Sequence, residues 1–198
     1  MAVTPNYSWP VPVNTDLVKD GADAIKDLGD AIDATVFGLP SGALTLVKTQ
    51  VIGTAVTSVT VTGAFSTTYD AYKIVISNGA GSFEDQIRLQ IGSVTSGYFS
   101  GGSFVPFNGS GIANVPVNNG AIFSNIGNMK PNGIFATIEV NSPFLTKQTL
   151  ISYYLSETTG ALVGAGHITN TASHTSFIIN TPSGTMTGGT IRVYGYQN

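Results

Sequence analysis

From Leu44 onward the chain alternates apolar and polar residues in short β-branched runs, and Gly, Asn and Pro separate one run from the next. A period of two places successive side chains on opposite faces of a strand, so each run reads as a strand with one buried face. Nine runs meet this description: Leu44–Ile52, Ser58–Val61, Tyr72–Ser77, Gln86–Ile91, Gly133–Val140, Thr149–Leu155, Leu162–Ile168, Ser176–Ile179 and Thr190–Tyr196. Nothing after Pro40 carries a helical period beyond a single turn at Ser66 to Ala71. Short strands at this spacing predict a mainly β fold, a jelly-roll-like β-sandwich. The stretch from Thr95 to Asn128 interrupts the pattern, because its glycines are too dense for regular strands throughout. It is expected to be a long irregular connection, and such connections often carry function. Its rings, Tyr98, Phe99, Phe104 and Phe107, with Asn108 beside them, form a candidate receptor-facing set able to stack on sugars. Filling the sandwich or a subunit interface is the plainer role for the same rings, since no acidic or basic residue accompanies them.

The first part of the chain is different in kind. Between Asp16 and Asp33 lie six aspartates and two lysines, a local net of −4, whereas the remaining charges sum to +1, together the −3 of the whole chain. Asp16-Leu-Val-Lys-Asp-Gly-Ala22, Asp23-Ala-Ile-Lys-Asp-Leu-Gly29 and Asp30-Ala-Ile-Asp-Ala-Thr-Val36 repeat with a period of seven. Val18, Ile25 and Ile32 occupy one seam position, and Gly21, Leu28 and Thr35 the other, which predicts one amphipathic helix. Asn14 or Thr15 suits its cap, and Gly38 with Pro40 suits its end. β-Branched seam residues are compatible with two- or three-stranded association. Docking or self-association through Val18, Ile25, Leu28 and Ile32 is set against packing on the chain's own domain. Ahead of the helix, Tyr7-Ser-Trp9-Pro-Val-Pro12-Val-Asn14 reads as an extended arm, because Pro10 and Pro12 fix their own φ and bias their neighbours toward extended backbone. Trp9 needs a surface to cover its indole: the β-domain, a sister subunit or another protein, or the arm's own helix. The expected organisation is therefore residues 1–37 as arm and helix, 38–50 as linker and first strand, and 51–198 as the sandwich.

Composition narrows the chemistry. There are no cysteines and only two histidines, so disulfides, thiolate zinc sites, cysteine nucleophiles and multi-histidine metal sites are not expected. Charged residues are 10% of the chain, against about 25% in an ordinary soluble domain. Without a basic excess, nucleic acid is not an expected partner. No run of about 18 apolar residues predicts membrane insertion, and the first residues lack the pattern of a secretory signal. No Gly-x-Ser-x-Gly elbow, Walker loop, dinucleotide fingerprint or EF-hand loop is present, so no cofactor or metal is expected. Ser173-His174 is only a dipeptide. Glu139 and Glu157 are the carboxylate pair weighed for glycan cleavage, with solvated surface charge as the plainer role. The expectation is a protein that is not an enzyme.

Tyr7-Ser-Trp-Pro-Val-Pro-Val-Asn-Thr-Asp-Leu-Val-Lys-Asp-Gly-Ala-Asp-Ala-Ile-Lys-Asp-Leu-Gly-Asp-Ala-Ile-Asp33, a Trp-Pro arm followed by the Val18–Ile25 helix at its core, resembles a segment near the start of many tailed-bacteriophage structural proteins of the minor tail or fibre type. Tyr69-Asp-Ala-Tyr-Lys-Ile-Val-Ile76 and Gly189-Thr-Ile-Arg-Val-Tyr-Gly-Tyr196 are similar to strands of phage fibre domains. The resemblance covers about the first 35 residues well and the rest by short matches. It implies a virion protein, assembled in the host cytoplasm and released by lysis, with an anchoring arm and helix and an outward β-domain. The expected form is a homotrimeric fibre or spike, anchored on capsid, portal, collar or tail proteins, that attaches to a host-surface glycan or protein. A capsid decoration protein without a receptor is the alternative, and a small glycan hydrolase on the virion is the second.

Overall fold

The computed structural model describes residues 2–13, 17–38, 44–156 and 158–197. The chain divides into two compact units, residues 1–41 and 42–198. In the first, β1 (Ala2–Val3) and β2 (Pro10–Val11) pair antiparallel, so the arm doubles back as a small hairpin. Thr4 closes it: the Thr4 N–H donates to the Trp9 carbonyl at 2.9 Å, and the Trp9 N–H donates to the Thr4 hydroxyl at 3.0 Å. One 3₁₀ turn, Val18–Asp20, leads into α1 (Gly21–Gly38), and β2 packs against α1. The capping residues expected at 14 and 15, and Pro40 beyond the helix end, lie outside the described residues.

The second unit is built from β3 (Leu44–Val51), β4 (Ser58–Val61), β5 (Ala71–Gly81), β6 (Asp85–Ile91), β7 (Tyr98–Pro106), β8 (Ala113–Asn114), β9 (Val117–Gly120), β10 (Phe123–Lys130), β11 (Gly133–Asn141), β12 (Leu150–Ser156), β13 (Gly160–Ile168), β14 (Phe177–Asn180) and β15 (Met186–Tyr196). The strands pair antiparallel. A long layer runs β3-β15-β5-β11-β12-β13-β7, with β8 and β9 on the outer edge of β7. A short layer runs β4-β14-β6-β10. Alternation along each strand sends one set of side chains between the layers. Tyr72, Ile74 and Ile76 of β5, Ile138 and Val140 of β11, and Ile191 and Val193 of β15 share one core with Val61 of β4, Ile87, Leu89 and Ile91 of β6, and Phe177 and Ile179 of β14. Each such side chain contributes about 1.5–3 kcal/mol by leaving water. The protein is mainly β, with one α-helix, and its larger unit is a β-sandwich.

Residues 95–128 are not the irregular connection that their glycines suggest. They hold β7, β8, β9 and most of β10, and β7 pairs with β13 along its whole length, from Tyr98 opposite Ile168 to Pro106 opposite Gly160. The physical reason is a ring from a third strand. Gly102 of β7 lies opposite Gly164 of β13, and the Tyr153 side chain of β12 covers both. A Cβ at Gly102 would stand 2.8 Å from the Tyr153 hydroxyl. The aromatic supplies the packing that these two glycines lack, so the strand persists through a sequence that reads as a breaker.

Candidate functional site

The seam of α1 is split between two environments. Ala24 is buried, and Leu28, Ala31, Ile32 and Thr35 are half-buried. The arm closes on this side: the Trp9 indole N–H donates to the Thr35 hydroxyl at 2.8 Å, that hydroxyl donates to the Ala31 carbonyl at 2.8 Å, and Tyr7 stacks on Trp9 at 5.2 Å. Ile25 stays open at 66% exposure, as does Phe37, and Val18, in the 3₁₀ turn that precedes α1, is 97% exposed. A solvated isoleucine between aspartates is a poor end state for an amphipathic helix, so this stripe is a candidate contact surface.

The five residues grouped as receptor-facing do not form one patch. Alternation along β7 turns Tyr98 and Phe104 toward the sandwich interior and Phe99 the other way. Tyr98 is fully buried; its hydroxyl accepts from the Ile91 N–H and donates to the Val94 carbonyl, both at 3.0 Å, and its ring meets Phe123 edge-on. Burial pushes its phenol up to about 12. Tyr98 is thus a core residue, not a receptor contact. Phe104 packs against the core and over Gly160. Phe99 stacks on His167 with ring centroids 5.3 Å apart. Phe107 and Asn108 are exposed, and the Asn108 carboxamide oxygen accepts from the Ser110 N–H at 2.9 Å in a local turn.

A site that the sequence did not disclose lies where the two layers part. β10 pairs with β11 only over the three positions from Asn128–Phe135 to Lys130–Gly133, around the Pro131-Asn132 turn. Beyond Phe135, β11 joins β5 and β12, while β10 stays with β6. Two depressions of about 250 and 290 Å³ open at this fork, and Asn128 and Leu155 line both. The first adds Lys130, Asn132, Phe135, Ser156 and Thr158. The second adds Phe104, Val115 and Leu162 as an apolar wall, with Glu84, Asp85, Gln86 and Asn125. A bulge in β10 contributes to it: the pairing with β6 slips between Phe123 and Gly127, and Asn125 takes φ +55°. Bulges of this kind re-aim side chains beside binding sites. The Asn125 N–H donates to the Gln86 side-chain oxygen at 3.0 Å.

The charges at the fork are matched. Glu84 pairs with Lys130 at 3.1 Å. Asp85 accepts from the Ser183 hydroxyl at 2.6 Å, the Ser183 N–H at 3.1 Å and the Gln86 N–H at 2.7 Å. Burial opposes its charge, but these bonds and the Thr181 hydroxyl outweigh burial and hold its carboxyl below the usual range. A carboxyl lowered in the folded state adds stability that is fully present above the ordinary carboxylate range and is lost as pH falls through the folded value. Asp85→Asn is therefore expected to flatten the acid side of the Tm-against-pH curve; an unaltered acid side would contradict the role given to this knot.

No protein-family model matches the chain, and no curated protein matches it. Among solved structures, the chain is similar at 9% identity and a TM-score of 0.17 to a chain of the tripod (BppUct-A-L) from the baseplate of bacteriophage Tuc2009, covering 94% of this chain and 96% of that one. A score of that size is not a shared fold.

Of the two carboxylates weighed for glycan cleavage, Glu139 is away from the fork. It pairs with Lys73 at 3.3 Å and accepts from the Tyr196 hydroxyl. Glu157 lies outside the described residues. Burial lowers the His174 imidazole, which packs over Gly92 with its Nε2 unpartnered. Among the described residues no helix is long and apolar enough to cross a membrane, and no three His, Asp or Glu side chains gather as a metal site.

Proposed function

We propose that the chain is a non-enzymatic structural component of a bacteriophage virion, a short homotrimeric fibre or spike. Its N-terminal unit anchors it to the particle, and its β-sandwich attaches to the host surface. The observation that carries this reading is the half-open helix. The arm occupies the Leu28–Thr35 part of the seam, and Ile25, with Val18 in the turn ahead of the helix, stays available for another chain. Three copies about a threefold axis bury that stripe, and β-branched residues there suit such an assembly. The resemblance of the arm and helix to phage structural proteins points the same way. The engagement of Glu84, Asp85 and Glu139 in structural contacts supports a role without catalysis.

The test is incorporation. Particles assembled with Ile25→Asp and Ile32→Asp together are expected to lack the protein, while the purified variant keeps a folded sandwich by circular dichroism. Normal incorporation of that variant would remove the helix as the anchor. Particles lacking the protein are expected to fail to adsorb; normal adsorption with reduced heat stability of the particle would favour a decoration protein instead.

A further inference from the structure

We infer that the cleft at the sheet fork binds a neutral oligosaccharide, with two adjacent sugar rings in its two depressions. The inference rests on the reading of the sandwich as the attachment domain, and names the ligand class for it. Three observations lead to it. The depressions are similar in volume, about 250 and 290 Å³, and share Asn128 and Leu155, as adjacent subsites for a repeating ligand do. Their apolar surface is local: Phe104 and Leu162 in one, and the half-exposed Phe135 ring in the other. A pyranose has such a need, an apolar C–H face on one side and hydroxyls around its edge.

Of the nine polar residues in the lining, four carry side-chain amides, Gln86, Asn125, Asn128 and Asn132, and two carry hydroxyls, Ser156 and Thr158. An amide both donates and accepts, as does each sugar hydroxyl, so the two sets match without a charge on either side. The charges present are already committed. Lys130 is held by Glu84, and Asp85 is turned to Ser183 and Thr181. The described lining therefore carries one net negative charge, which disfavours an anionic sugar. Pockets that fix a ligand by a few convergent polar groups on an apolar wall are the usual form of a small-molecule site.

The experiment is a ¹⁵N–¹H NMR titration of the full chain with maltotriose, cellotriose and triacetylchitotriose, with sialyllactose as the anionic comparison. At least one neutral trisaccharide is expected to give saturable shifts at the amides of Asn128, Asn132, Gly133 and Ser156, with a Kd of about 1 mM. Ser156→Trp, which fills the first depression, should weaken that binding at least about tenfold. Thr60→Trp, on β4 at the far edge of the short layer, should leave it unchanged. The same spectra show whether each variant is folded. No shift from any neutral sugar, a response to sialyllactose alone, or full binding by folded Ser156→Trp overturns the inference. Particle adsorption separates the inference from the reading beneath it. Ser156→Trp particles that no longer adsorb, with no sugar bound in solution, overturn the sugar and leave the attachment reading standing. Sugar binding lost in the variant together with normal adsorption upholds the sugar and overturns attachment through this cleft.

Discussion

Tyr98→Ala is expected to destabilise the sandwich by about 3–5 kcal/mol, the range for removing a large buried ring. Phe107→Ala, nine residues away, should change stability by less than about 0.5 kcal/mol. Both residues belong to the same aromatic cluster in sequence. Tyr98 is wholly inside, whereas Phe107 is 62% exposed at a turn. The hydroxyl adds a second effect that a simpler substitution isolates. In Tyr98→Phe the ring stays, but the Ile91 N–H and the Val94 carbonyl lose their partner in a buried place. Leaving such groups unpaired costs about 1–3 kcal/mol. Net stability of an ordinary domain is only about 5–15 kcal/mol, so the alanine variant approaches the unfolding limit. Chemical denaturation of the three variants checks the order. Equal midpoints for Tyr98→Phe and the parent protein would contradict the hydrogen-bonding role of the hydroxyl.

Gly127→Val is the second large effect. Gly127 sits in β10 where the two layers begin to part. A Cβ there would stand 2.6 Å from the Ala136 Cβ and 3.0 Å from the Phe135 carbonyl oxygen. Neither neighbour is a flexible side-chain end, so β10 and β11 must separate to admit it. Overpacking of this kind costs about 3 kcal/mol, or roughly 6–12 °C in Tm for a domain of this size. Gly111→Val is the comparison, since nothing lies within 4 Å of a Cβ at Gly111. It should melt with the parent protein. If Gly127→Val also melts with the parent protein, the close approach at the fork is not part of the stable fold.

These two residues mark the limits of what the sequence discloses. The nine alternating runs each overlap an observed strand, because period-two burial is a local property. β7 escaped for a non-local reason. Its Gly101-Gly102 pair reads as a break until Tyr153, 51 residues beyond Gly102, is placed over Gly102 by the pairing of β12 with β13. Once β7 is recognised as a strand, alternation alone separates Tyr98 from Phe99. The fork cleft was less accessible still. Its members come from β6, β7, β10, β11, β12 and β13, and strand order brings them together, which a single chain does not reveal. The nearest local signal was the Lys130-Pro-Asn-Gly133 turn with amides at 125, 128 and 132 around it. In the helix, the heptad stripe was legible as seven-residue repetition. Which half of it the arm covers depends on Trp9 meeting Thr35, a contact across 26 positions.

The central claim is that the open stripe of α1 joins copies of the chain. Its most direct test is the mass in solution, by light scattering, of the full chain beside a chain beginning at Ser41. The account predicts a trimer for the full chain and a monomer for the shortened one, with the sandwich folded in both. A trimer in both would place self-association in the sandwich, where Leu150, Tyr154 and Val163 stand exposed on the long layer. A monomer in both, or a trimer in both, contradicts the claim that the helix is the joining element.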